Sequence, residues 1–417
     1  MKNLIIFLQF LFWVNYSFSQ VPKIEWQKCI GTNSYEYIES GCKTKDGGII
    51  IAGFSDDNYK SNNALIIKLN EFGIIEWQKS YGSKGNDRAN GIIQTSDGGF
   101  VFIGTTDSDD GQLENNHGSS DYWIVKITSM GNIEWQKCYG GSGTDEAYSV
   151  VETINGDYII IGKSGSEDGN ISINKGKDDV WIIKLDSIGK MLWQKSIGGE
   201  YDDEASSIQN TLDTGFIIAG FSASDDGDVN CPSDTYVDAW IVKMNNLGEI
   251  QWSKCIGGYN GDDAKCIQQT SDEGFVFTGR TVKNKNYDGF PNFDVFVVKI
   301  DKNGFIEWEK IFGGSKWEEG NSIKQTKDGG YIIGGFSSSN NGDLSKNQGC
   351  NDFWIIKIDS MGNIEWEKSL GGSGYEEAKS IILTSDGGYI VAGVTDSNDG
   401  DVKGFHGEKD AWIVKLK

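Results

Sequence analysis

One unit of sequence recurs seven times along this chain, and a repeat of that length decides the architecture before any single residue is weighed. The consensus of the units reads Trp-x-Lys, Gly-Gly, an acidic residue, Asp-Gly-Gly, a β-branched run ending in Gly, and then Trp-Ile-x-Lys. The anchor tryptophans are Trp26, Trp77, Trp135, Trp193, Trp252, Trp308 and Trp366, between 51 and 59 residues apart. In the third unit the pattern predicts strands over 146–153, 157–162, 180–185 and 191–196. Asn155-Gly156 joins the first two, as Asp46-Gly47, Asp97-Gly98, Asp328-Gly329 and Asp386-Gly387 do elsewhere, and such dipeptides favour a type I′ hairpin. Turns such as Asp186 to Gly189 join the last two. Helical periodicity is absent.

A lone four-stranded meander cannot bury both faces. Repeated radially, it closes into an all-β, seven-bladed β-propeller of four-stranded antiparallel blades. The phase of the repeat adds a detail. The chain opens on a tryptophan strand, 23–29, and stops after the third strand of a unit, 411–417, so the N-terminal strand is expected to complete the last blade and cover its edge.

Residues 1–19 read as a signal peptide, with Lys2 ahead of an apolar run from Leu4 to Val14 and small residues at Ser17 and Ser19. That run falls short of the about 20 residues a spanning helix needs. Residues 20–417 are then one propeller domain, exported, secreted or held at the cell surface, not inserted in the membrane, and monomeric. With 38 basic against 61 acidic residues and a formal charge of −23, nucleic acid is an unsuitable partner. Seven cysteines are scattered along the chain. Cys29, Cys138 and Cys255 share one slot after the tryptophan, which holds Ser80, Ser196 and Ser369 in three other units, so they read as small buried side chains and no disulfide framework is expected.

The order of strand, Asp-Gly, strand ending in Gly, strand, turn and strand with Trp resembles kelch-type and galactose-oxidase-type blades. Units such as Ile364-Glu365-Trp366-Glu367-Lys368 and Asp386-Gly387-Gly388-Tyr389 are similar to those of bacterial secreted β-propeller repeat proteins. The resemblance spans residues 21–417. It implies a kelch-like propeller, secretion and surface attachment, and no particular activity.

Propeller geometry puts every long loop on one face. An acid precedes each innermost strand there: Glu36, Asp87, Asp145, Asp203, Asp262, Glu318 and Glu376. A carboxylate at a tight turn accepts backbone N–H groups, so this sevenfold ring reads as structural. The same holds for Asp121, Asp179, Asp238, Asp294, Asp352 and Asp410, and for the lysine that recurs once per blade. By count the face carries about 39 of the 61 acids and about 11 of the 38 bases, enough for a strong negative potential. Asp396, Asp399 and Asp401, in an oxygen-rich loop containing Gly400, form a candidate calcium site, calcium being the one cofactor the sequence suggests, although the match to a calcium loop is poor.

Catalytic constellations are sparse. His117 and His406 occupy one loop slot in blades 2 and 7, and Arg88 and Arg280 are the only arginines. Positions that break the repeat are more informative, because a ligand site must break the symmetry. Just ahead of the recurrent acid, Trp317, Tyr375 and Tyr35 lead into blades 6, 7 and 1, which ring closure makes neighbours. Such an aromatic arc suits stacking against sugar rings. The expected function is therefore a non-enzymatic binding or adhesion scaffold that recognises carbohydrate or protein through its acidic loop face. The alternative is a polysaccharide-active enzyme, a glycosidase or lyase, working through carboxylates of that face.

Overall fold

The computed structural model describes residues 20–56, 61–109, 116–231, 237–258, 261–285 and 291–417. The leader expected over 1–19 lies outside them. The described residues hold 28 strands, β1 to β28 in chain order, in seven four-stranded antiparallel sheets. No helix among them is long and apolar enough to cross a membrane.

The third blade shows why the sequence folds this way. Its strands are β10 (Asp145–Glu152), β11 (Tyr158–Ser164), β12 (Asp179–Leu185) and β13 (Met191–Ile197). β11 and β12 are buried almost throughout, because neighbouring blades cover both faces. Their continuous Ile and Val runs answer that need, whereas β13 lies at the rim and is only partly buried. The large aromatics Trp123, Trp181, Trp240, Trp354 and Trp412 sit in the equivalent of β12 and are fully buried. Apolar clusters lie between sheets: Ile161, Val180, Ala205 and Phe216, for example, join blades 3 and 4.

Ring closure follows the expected route. The last sheet has the order β1 (Ile24–Ile30), β28 (Asp410–Leu416), β27 (Tyr389–Thr395), β26 (Glu376–Leu383), with Gln27 opposite Val414 and Cys29 opposite Trp412. Ile30, Ala411 and Ile413 then pack on Ile38, Ile49 and Leu65 of the first blade, so the closing seam has the same kind of core as the others. The anchor tryptophans tie the rim. The indole N–H of Trp77 donates to Ser129 O of the next blade at 3.0 Å, and its ring lies against Gly131, which has φ +73° and where a Cβ would meet the ring at 3.1 Å.

Two expectations are corrected. The Asp-Gly hairpins are not type I′. Only the glycine has positive φ (Gly47, +89°), with Gly47 N–H donating to Thr44 O and Thr44 N–H to Gly48 O, which is a type I turn followed by a left-handed residue. The cause is the aspartate: Asp46 Oδ1 accepts the Thr44 hydroxyl and the Gly48 N–H, which holds the turn right-handed. Thr214 and Glu273 fill the glycine slot in two blades and accept φ of 68° and 69°. The second correction concerns cysteine. Cys255 is bonded to Cys231, because its slot faces the long loop of its own blade and that loop carries a cysteine. In the same slot, Cys29 and Cys138 remain thiols, both pushed up to about 12 mainly by burial.

Candidate functional site

The sevenfold acid is consumed inside the ring. All seven carboxylates are at most 3 % exposed, and each accepts the N–H of the residue four positions earlier, from Thr32 N–H on Glu36 to Gly372 N–H on Glu376, at 2.7 to 3.1 Å. Hydroxyls complete the shell, as Thr106 and Ser108 do for Asp87. The second set behaves alike. Asp121, Asp179, Asp352 and Asp410 accept N–H groups of His117, Lys175, Gln348 and His406, and the two imidazoles turn Nδ1 onto the same aspartates at 2.6 and 2.8 Å. These carboxylates are hydrogen-bonded loop supports, so they are not displayed to solvent as the face count implied.

The two sets meet in pairs across a glycine. A Cβ on Gly198 would lie 2.5 Å from Asp179 Oδ1 and 2.7 Å from Asp203 Oδ2; Gly140, Gly371 and Gly31 separate Asp121 from Asp145, Asp352 from Glu376 and Asp410 from Glu36 in the same way. The Oδ1 atoms of Asp121, Asp179, Asp352 and Asp410 are buried with no hydrogen-bond partner. Burial, reinforced by the paired carboxylate, lifts Asp179 from 3.8 to about 6 and raises Asp121, and burial with Asp401 raises Asp352. At the first seam Asn63 stands in the aspartate's place, beside Asp87 across Gly82.

The calcium expectation is not supported. Asp396 Oδ1 accepts Tyr375 N–H at 2.6 Å, Asp399 Oδ1 accepts Ser373 N–H at 2.7 Å, and Asp401 Oδ2 accepts the Gln348 side-chain amide at 2.5 Å. Their oxygens point to different N–H donors, and among the described residues no three His, Cys, Asp or Glu side chains converge as a metal site.

Two features of the loop face remain open to a ligand. The first is the mouth of the central channel. Every innermost strand carries a bulge three residues after the recurrent acid, at Glu39, Asn90, Tyr148, Ser206, Lys265, Asn321 and Lys379, and bulges re-aim side chains. All seven line a cavity of about 720 Å³ together with Arg88, Glu146, Glu204 and Glu319. The lining is polar throughout apart from the ring of Tyr148. Burial raises Glu204 and Glu319 above the ordinary carboxylate range. It acts on Glu377 too, but the Lys379 ammonium, 2.6 Å away, outweighs it and holds that carboxyl low.

The second feature is the aromatic arc. Trp317 is 46 % exposed and packs between Phe293 at 5.7 Å and Phe336 at 5.8 Å. Phe336 reaches Tyr375 at 6.4 Å. The Lys409 ammonium bridges the rings of Tyr375 and Tyr37 at 4.7 and 5.2 Å, and Tyr37 stacks on Tyr35 at 6.4 Å and on Phe54 at 4.7 Å. Both arginines belong to it: Arg88 lies over Phe54, and Arg280 over Phe293 and Trp317. The structure thus brings Trp317, Tyr375 and Tyr35 into one belt across blades 5, 6, 7 and 1. Sequence reasoning missed Phe293, Phe336, Tyr37, Phe54 and the three cations. A signal existed in Tyr37, which occupies the slot that is acidic in five other blades.

The fold and this ring of loops define the class as a seven-bladed β-propeller. No family model matches the chain. It is 28 % identical over 137 residues to the regulatory protein FlaEY of Caulobacter vibrioides, covering 30 % of this chain and 14 % of that protein. It is 22 % identical over 218 residues to the WD repeat-containing protein L264 of Acanthamoeba polyphaga mimivirus, covering 44 % of this chain and 16 % of that one. The chain therefore spans only a small part of these relatives. Among solved structures, the Pan2 WD40 domain of Neurospora crassa is similar with a TM-score of 0.52 at 9 % identity, covering 92 % of this chain and 96 % of that one. BBS1N in complex with ARL6DN matches with 0.51 at 9 %, covering 94 % and 96 %. At such identities the likeness concerns the fold alone.

Proposed function

We propose that this protein is a secreted, non-enzymatic binding scaffold of the kelch-like kind, whose loop face recognises carbohydrate. One observation carries the reading. The sevenfold repeat is broken on one side of the loop face by a continuous belt of aromatic rings, and Arg88 and Glu319 connect that belt to the polar channel mouth. Aromatic faces beside amide, hydroxyl and charged groups match a sugar, which offers an apolar ring face and a rim of hydroxyls. A protein ligand on the same face is the neighbouring reading, in line with a structurally similar propeller whose structure is a complex with ARL6DN.

A polysaccharide-active enzyme is the second reading, and the channel mouth favours it. Glu204 and Glu319 are raised there, while Glu377, held by the cavity-lining Lys379, is lowered, and environments that push carboxyls apart are how an acid and a base are separated. A glycan array followed by product analysis of every hit decides between them. Binding without cleavage, weakened at least tenfold by Trp317→Ala with stability changed by about 1 kcal/mol or less, supports the scaffold. Cleavage products support the enzyme, and unchanged affinity in the variant removes the arc from the site.

A further inference from the structure

We infer that the seam of blades 7, 1 and 2 is a subsite for the carboxylate of an acidic sugar, with Lys409 and Arg88 as its cations; the inference rests on the carbohydrate reading above. Acids outnumber bases 61 to 38 in this chain, and the inward-facing cations elsewhere are bridged by them. Arg280 contacts Asp263 at 2.9 Å and Glu319 at 3.1 Å. Lys379 holds Glu377 at 2.6 Å. Lys357 sits between Asp328 and Glu365 at 3.0 and 2.7 Å.

Lys409 and Arg88 differ. Among the described residues neither forms an ion pair with a carboxylate; both rest on aromatic rings instead, Lys409 on Tyr375 and Tyr37, Arg88 on Phe54. Of the carboxylates around the seam, Glu39 feels the Arg88 charge without closing on it as an ion pair and is also drawn to Lys379 at 3.9 Å; three others are committed elsewhere. Glu36 and Asp410 are buried beneath the loop and spent on backbone N–H groups, and Glu377 takes both Lys379 and the Tyr375 hydroxyl. A ring face holds an ammonium in position without neutralising it. The cations therefore remain available to an incoming anion. The Tyr37–Phe54 stack separates Lys409 from Arg88, so a chain of several acidic sugars engages both and a single sugar engages one. The molecule's overall charge of −23 opposes any anion at long range. That repulsion is screened at physiological salt, where the Debye length is about 8 Å, while contact pairing at the seam is not.

The test is calorimetric titration, at physiological salt, of the whole protein with a galacturonate hexasaccharide and with the same chain after carboxyl reduction. The expected result is at least tenfold tighter binding of the acidic chain, the weight of one charge-assisted bond. Lys409→Gln and Arg88→Gln should each remove most of that preference, weakening the acidic chain far more than the reduced one, and Lys409→Arg should keep it. Equal affinity for the two chains, or a preference that survives both glutamine variants, overturns the subsite while leaving the carbohydrate reading in place. Failure to bind either chain overturns the subsite, and the glycan array decides the carbohydrate reading separately.

Discussion

Replacing Asp179 by asparagine should flatten the pH dependence of stability. Asp179 Oδ1 and Asp203 Oδ2 close on Gly198 from two sides, Asp179 is fully buried, and its Oδ1 has no partner. A buried carboxylate with an unpartnered oxygen, beside a second carboxylate, favours its protonated form. In the folded state burial, with help from Asp203, lifts the group from 3.8 to about 6. The folded form thus binds the proton more tightly than the unfolded form. The stability this contributes is fully present below about pH 4 and is lost as pH rises through about 6. At about 1.4 kcal/mol per pH unit, the loss comes to about 3 kcal/mol for this pair. The amide of the Asp179→Asn variant would be neutral at every pH, as that of Asn63 is beside Asp87 at the first seam. Urea unfolding of both proteins from pH 4 to pH 8 measures the effect. The wild type should lose about 3 kcal/mol more than the variant over that range, so that the variant is the more stable at pH 8. Parallel curves would refute a protonation-dependent contribution from Asp179 at this seam.

Deleting 24–30 should strip the last blade of its outer strand, leave β28 as an exposed edge and unpack Ile30 from Ile38 and Ile49; aggregation or a Tm drop of about 3 °C or more is expected, on the order of 3 kcal/mol or more from the lost packing, and a soluble deletion variant with the parent's Tm would contradict closure by the N-terminal strand. Thr214→Gly should stabilise by about 0.5–1 kcal/mol in a denaturant titration, because a β-branched residue at φ 68° is strained by more than glycine's extra unfolded entropy costs. Calcium at millimolar levels should leave the melting curve the same as in chelator at matched ionic strength, since Asp396, Asp399 and Asp401 are spent on N–H donors; a calcium-specific rise of several degrees would show that those oxygens reorganise into a cage.

The architecture was legible because it is written seven times. Blade count, strand order and closure by the N-terminal strand all follow from the spacing of the tryptophans and the phase at which the chain begins. Features that depend on a single partner were less visible. The hairpin turns were misassigned because Asp-Gly also serves a turn in which the aspartate folds back onto Thr44 and Gly48. Cys255 gave no sign of its bond, because Cys29 and Cys138 fill the same slot without one. The acidic face was overestimated for a physical reason: carboxylates needed to satisfy N–H groups at every seam are counted in the sequence as surface charge. Three rings of the arc were found from broken repetition, while Phe293, Phe336 and Phe54 were not. Those side chains meet the arc across strands and blades, so only the closed ring makes them neighbours.

The most direct test of loop-face recognition is where a bound glycan protects the backbone. Hydrogen–deuterium exchange of the whole protein, with and without the strongest array ligand, should show slowed exchange at 31–37, 313–318, 371–376 and 404–409, with the opposite-face turns at 70–73, 186–189 and 359–362 unchanged. Protection confined to those turns, or spread evenly over all seven blades, would contradict recognition by the aromatic arc.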